Sequence, residues 1–415
     1  MDSGVQNRRK LPVSQIDTDT DTRDILARAK QQAVKRRFDD VFIVDTDSHH
    51  TESESWREII KYIPDPVVRA QAEDYQRQRT GSPPYGINGD LGLRYQDCGG
   101  RIPHQAARAE KIDDTSVHKD VVLARRAFES FGIDYTVIFP TPMLFLGVHP
   151  QPEMEVLLGE AYNRWSVERL LSADKRLGSL IFLPFSDPEA SLKTVEEFSG
   201  KPGVIGFMVT SIRYKPVHHN NYMKLYRALE ERGLPIGFHA GYYWQDPSMA
   251  QINRFGSMHA LSFVWCNVVH MTNWVMNGMP ERFPGLKPIW IESGLAWVPW
   301  LMQRLDHTYM MRTSEAPLLK RKPSEYMRQM FYTAQPLETD HLEATELTFK
   351  MTDAKNSLLY ASDWPHWDFD APSVIWDLPF LTEQDKRNIL GLNAAKLFKL
   401  DVPAGKRKAA SVRPE

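Results

Sequence analysis

Four apolar runs of this 415-residue sequence end in an acid or a histidine. Val41-Phe-Ile-Val44 leads into Asp45-Thr-Asp47-Ser-His49-His50-Thr-Glu52, and Leu234-Pro-Ile-Gly-Phe238 into His239-Ala-Gly241. Pro288-Ile-Trp-Ile291 leads into Glu292-Ser-Gly294, and Leu358-Leu-Tyr-Ala361 into Ser362-Asp363-Trp-Pro-His366. Burying charge is costly unless it is paired or bound to metal. Four separate strand-like runs with the same ending are poorly explained by packing. Asp47 and His49 are two apart, so an extended segment points both to one side. Imidazole with carboxylate suits zinc, iron or manganese, whereas carboxylate alone suits magnesium or calcium. The pattern predicts a divalent metal site. The alternative is a network of satisfied polar groups.

The elements that must position these residues alternate. β-rich apolar runs fall at 41–46, 134–140, 178–184, 203–209, 234–239, 287–292 and 357–361. Helical stretches fall at 118–131, 153–173, 188–199, 221–232 and 383–399. Such alternation predicts a parallel sheet. No Gly-rich nucleotide loop follows any strand, which disfavours an open doubly wound sheet. The expected fold is therefore α/β, a (β/α)8 TIM barrel, with its eighth strand near 261–269. In such a barrel the site lies at the C-terminal ends of the strands, where the four motifs fall.

The expected domain is one barrel over 39–402, preceded by an N-terminal extension over 1–38 and followed by a disordered tail over 403–415. Residues 23–37 read as a short basic helix. Residues 52–117 interrupt the alternation and read as an insertion, either a lid over the barrel mouth or an oligomer contact. The run Asp17-Thr-Asp19-Thr-Asp21 is not a calcium loop, because Thr22 and Arg28 stand where Gly and Glu are needed.

Net charge is −2, so no basic field points to nucleic acid or an anionic membrane. There is no apolar run of the roughly 18 residues a membrane span needs, and no export signal. Cys98 and Cys266 are the only cysteines and read as reduced thiols of a cytoplasmic protein. The expected partner is a small-molecule substrate, with the chain in a homo- or hetero-oligomer.

The set Asp-x-Asp-x-His, Phe-His-x-Gly, Glu-Ser-Gly-x-x-Trp and Ser-Asp-Trp-Pro-His resembles the amidohydrolase-related branch of the amidohydrolase superfamily. So does Gly278-Met-Pro-Glu-Arg-Phe-Pro-Gly-Leu-Lys287, and the resemblance spans roughly residues 40–400. That branch holds non-oxidative decarboxylases and hydrolases. The resemblance makes Asp47, His49 and His239 metal ligands, and makes Asp363 both a ligand and a proton carrier. Glu52 and Glu292 join the expected metal set of one or two ions per chain. Run 203–209 has no Lys, so a carboxylated-lysine bridge is not expected.

Several decarboxylases of the branch carry a His after the strand that here ends in Glu292. A carboxylate lacks imidazole's chemistry near pH 7 unless its pKa is strongly raised. The expected activity is therefore hydrolysis through a metal-bound water, ahead of decarboxylation, with Asp363 or Glu292 taking the proton. His270, in a stretch expected to be helical, is either a packed histidine or a third catalytic residue. One alternative is an O2-dependent hydroxylase with a dinuclear iron or manganese–iron site, similar to 2-aminoisobutyrate hydroxylase. A second is an inactive partner subunit. Arg213, Tyr242, Trp244, Trp297 and His366 are the expected substrate contacts.

Overall fold

In the computed structural model, the residues described are 22–78, 112–210, 215–241, 246 and 248–406. Expectations for residues 1–21, the central part of the insertion, Arg213, Tyr242, Trp244 and the tail beyond 406 lie outside them.

Eight parallel strands follow one another around one sheet. They are β1 (Val44–His50), β2 (Tyr135–Pro140), β3 (Leu177–Phe182), β4 (Val204–Val209), β5 (Ile236–His239), β6 (Pro288–Ile291), β7 (Phe331–Thr333) and β8 (Leu358–Leu359). The two edges are stitched together just above β8. Thr46 N–H donates to the Tyr360 carbonyl at 2.9 Å, and His49 N–H to that of Trp364 at 2.7 Å. Asp363 N–H donates back to the Asp47 carbonyl at 2.7 Å. These bonds make a nearly closed (β/α)8 barrel and fasten the β1 motif to the β8 motif.

The helices are α1 (Thr22–Arg36), α2 (Pro66–Gln78), α3 (Lys119–Phe131), α4 (Pro152–Ser166), α5 (Pro188–Phe198), α6 (Met223–Arg232), α7 (Phe255–Met276), α8 (Trp297–Met311), α9 (Leu342–Thr352) and α10 (Asn393–Phe398). Local chemistry sets their ends. Asp187 caps α5 by accepting from the Glu189 and Ala190 amides, with Pro188 in the first turn. Gly132, at φ 77°, ends α3 in the left-handed region open to glycine. The basic helix expected over 23–37 is α1, which buries Ile25, Leu26, Ala29 and Ala33 and packs on α3. Among the described residues, no helix is long and apolar enough to cross a membrane.

Residues 261–269 are not the eighth strand. They belong to α7, and the strand is β7, three residues long. α7 carries no Asp, Glu, Lys or Arg, and its apolar run imitates a buried strand.

The barrel interior is packed solid below the mouth. A Cβ on Gly237 would stand 2.6 Å from Leu180 Cδ1 and 2.8 Å from Ile291 Cδ1. Outside the sheet, Phe238 and Trp290 stack at 4.6 Å and meet Trp274 of α7. His239 and Ile291 occupy the opposite, inner face by strand alternation.

Candidate metal centre

β1 presents Asp47 and His49 to the barrel mouth after a register shift between Asp45 and Ser48. Such irregularities often aim side chains beside active sites. His239 is the last residue of β5. Glu292 follows Ile291, and a fully extended chain would send it to the helix side. Its φ of 49° turns it back inward, with its N–H donating to Thr333 Oγ1 at 3.0 Å. Asp363 also has a left-handed φ, 58°. Non-glycine residues pay for that conformation, and such strain collects at functional sites.

The side chains converge. His49 Nε2 lies 3.2 Å from Asp47 Oδ1, 3.3 Å from Asp363 Oδ1 and 3.8 Å from Glu292 Oε2. His239 Nε2 lies 3.4 Å from Asp47 Oδ1, 3.5 Å from Glu292 Oε2 and 3.4 Å from His49 Nε2. All five residues are buried. Phe139 sits against both imidazoles, at 6.1 and 4.8 Å between ring centres.

Tautomers follow from the other ring nitrogens. His49 Nδ1 is 3.0 Å from the Pro140 carbonyl, and His239 Nδ1 is 3.2 Å from that of Ala240. A carbonyl only accepts, so each Nδ1 carries the proton and each Nε2 presents a lone pair. Burial lowers the His49 pKa further and keeps the ring neutral. Both carboxylate oxygens of Asp47 and Oε2 of Glu292 are buried and accept no hydrogen bond. Electron-pair donors crowded together without protons between them need a cation. The donor set, two imidazoles with carboxylates, suits zinc, manganese or iron.

Two donor groups form: Asp47, His49, His239 and Glu292; and His49, Asp363 and His366. His49 serves only one of them, since Nδ1 is committed to Pro140. His366 stacks on His49 at 4.2 Å. Its Nδ1 lies 2.7 Å from Asp363 Oδ1, and its Nε2 lies 3.2 Å from Thr141 Oγ1.

Three expected residues lie outside both donor groups. Glu52 is buried, but its oxygens accept from the Thr141 amide at 3.0 Å and the Met143 amide at 2.7 Å. It holds the turn after β2 and is outside both donor groups. Glu52→Ala would strand those two amides and destabilise the protein by roughly 2–3 kcal/mol. Chemical unfolding of the variant checks this, and metal content should be unchanged. His270 lies in α7, against Phe238 on the outer face of the sheet, with Nε2 3.2 Å from Cys266 Sγ. Burial lowers its pKa to about 4, and it is away from the converging atoms. Trp297 is buried at the start of α8, and its indole N–H donates to the Gly294 carbonyl at 3.2 Å.

His50 points away from the mouth, to Asp120 at 2.9 Å and Tyr162 at 2.8 Å. It borders a cleft between α3 and strands β1 and β2, whose lining also includes His49. Thr141, Asp368 and His259 were missed by the motif reading. Thr141 directly follows β2, but it is neither an acid nor a histidine, so the strand-end rule passes over it.

Protons report on this arrangement. Burial, reinforced by neighbouring carboxylates, raises Glu292 and Asp363 well above the ordinary carboxyl range. The folded metal-free protein therefore binds more protons at Glu292 and Asp363 than the unfolded chain does. Their contribution to stability falls as pH rises above the ordinary carboxyl values of 4.5 and 3.8. A cation held by Glu292 displaces its proton, so metal stabilisation should grow with pH. The shift in melting temperature on adding manganese should be larger at about pH 8 than at about pH 5.5. Equal shifts would contradict this assignment.

The family model described as amidohydrolase matches residues 126–400. The γ-resorcylate decarboxylase of a Polaromonas strain is 24% identical over 254 residues, covering 58% of this chain and 75% of that one. The γ-resorcylate decarboxylase of a Rhizobium strain is 24% identical over 269 residues, covering 61% and 79%. Among solved structures, 5-carboxyvanillate decarboxylase from Sphingomonas paucimobilis superposes with a TM-score of 0.61 at 19% identity, over 87% of this chain and 100% of the other. A dihydroxybenzoic acid decarboxylase from Polaromonas, with manganese and 2-nitroresorcinol bound, gives 0.62 at 18% identity, over 89% and 100%. The chain belongs to the amidohydrolase family, as a metal enzyme of that superfamily.

Proposed function

We propose that this chain is a metal-dependent carboxy-lyase that removes CO2 from a small hydroxylated aromatic acid. The relatives above are decarboxylases, which reverses the order expected from the motifs, where hydrolysis came first. The observation that carries the reading is the Asp363–His366 pair set against the His49 ring. It supplies an imidazole beside the acid at the mouth, although the position after β6 holds Glu292.

Asp47, His49, His239 and Glu292 would hold a divalent ion, whose chemistry is to neutralise and orient a substrate carboxylate. The chain's own residues handle the proton. In decarboxylation the ring carbon bearing the carboxylate gains a proton. The C–C bond then breaks, CO2 leaves, and the electron pair returns to the ring. Burial keeps the Asp363 pKa up, so it has a proton to give. His366 touches Asp363 Oδ1 through Nδ1 and reaches Thr141 through Nε2, a route by which Asp363 is reprotonated. Phe139 keeps an apolar wall against both imidazoles.

The test is CO2 release from 2,6-dihydroxybenzoate and 5-carboxyvanillate by protein loaded separately with manganese, zinc or iron. Release with one of these metals, lost on chelation, is the expected result. No release by any metal-bound form, or substrate-dependent oxygen uptake, would overturn the reading. Oxygen uptake with two ions per chain would favour a hydroxylase using both donor groups.

A further inference from the structure

Above the metal ligands the mouth holds a second polar pair with no role in the proton route. Asp368 lies in the loop that follows Asp363 and His366, over the end of β8. His259 lies near the start of α7, which follows β5 at the same end of the barrel. Their side chains meet across the mouth, with His259 Nε2 3.7 Å from Asp368 Oδ2. The loop is braced from β7, because Gln335 Nε2 donates to the Asp368 carbonyl at 3.3 Å.

Asp368 is close enough to the centre for its charge to act on both Glu292 and Asp363. Its Oδ1 is shielded from water and has no hydrogen-bond partner among the described residues. A shielded carboxylate oxygen without a donor is costly, and a ligand that brings a donor recovers that cost. The walls beside it are aromatic: Trp367 and Phe263 flank the His259 ring at 5.4 and 5.1 Å. A flat ring carrying a hydroxyl matches both features.

We propose that Asp368 is a specificity-determining residue that accepts a hydrogen bond from a ring hydroxyl of the substrate, with His259 as the residue that positions it. This rests on the aromatic-acid reading above and names the part of the substrate that is read. A ring whose hydroxyl is methylated keeps its shape but has nothing to donate, and leaves Asp368 Oδ1 stranded under the ligand.

The experiment titrates metal-loaded protein by tryptophan fluorescence with matched pairs: 2,6-dihydroxybenzoate against 2,6-dimethoxybenzoate, and the 3- and 4-hydroxybenzoates against their methoxy forms. Wild type should bind the hydroxy member at least about tenfold tighter in one or more pairs, the range of a hydrogen bond to a charged group. In Asp368→Ala that preference should shrink to within about threefold. Taking the ratio within each protein cancels any contribution of the hydroxyl to the metal. His259→Phe, which keeps a ring and loses the nitrogens, should weaken the preference less than Asp368→Ala does. If Asp368→Ala fails to fold or loses its metal, Asp368→Asn carries the same comparison, and its preference should also fall.

An unchanged preference in a folded, metal-bound Asp368 variant overturns the proposal, as does wild type without preference in any pair. The two readings fail separately. Preference without CO2 release sinks the lyase reading and leaves Asp368 as a hydroxyl reader. CO2 release without preference sinks this inference alone.

Discussion

His239→Ala should leave the protein folded and nearly free of metal. His239 is wholly buried at the end of β5, and its Nε2 faces Asp47 and Glu292 at 3.4 and 3.5 Å. Those carboxylate oxygens accept no other hydrogen bond, so no other described residue replaces the lost ligand. Changing residues that merely brace ligands typically costs about 10–100-fold in metal affinity or activity. Removing a ligand should cost more than about 100-fold in both. Circular dichroism separates this from unfolding, and His239→Gln, which fills more of the space, should lose metal as well. A His239→Ala protein that keeps a full complement of metal would place the ion elsewhere.

Asp363→Asn should show the opposite pattern, with metal kept and turnover lost. The amide preserves shape and can still face the His49 side of the mouth, but it cannot deliver a proton. General acid–base groups are worth roughly 10²–10⁴-fold, so kcat should fall by that factor while KM changes little. His366→Gln should lower kcat less, because His366 acts through Asp363, which it touches at 2.7 Å. Activity of Asp363→Asn within about tenfold of wild type would remove Asp363 from the proton route.

Much of the centre was legible from residue types, for a specific reason. A barrel strand shows its last polar residue to the mouth, so an apolar run ending in Asp, His or Glu marks a site before any distance is known. Asp47, His49, His239, Glu292 and Asp363 were all found this way, and the structure brings all five together. Glu52 fits the pattern because the run of polar ligand types continues past His50 in the sequence. The chain leaves the strand there and enters a turn over Glu52–Ser55, which swings the carboxylate to the Thr141 and Met143 amides. Spacing alone does not reveal where a strand stops.

The inward turn of Glu292 was equally invisible, because it depends on a left-handed φ that no residue type announces. β7 was missed because three residues, Phe331–Thr333, are too few to show a period. His270 has the right residue type, but strand alternation puts its neighbour Phe238 on the outer face, and His270 goes with it.

Metal content tests the central claim most directly. Elemental mass spectrometry should be run on protein expressed with manganese, iron and zinc all available, beside the His49→Ala and His239→Ala variants. The arrangement of Asp47, His49, His239 and Glu292 predicts about one divalent ion per wild-type chain, lost in both variants. Wild-type protein that carries no metal, and gains neither thermal stability nor activity when metal is added, would contradict it.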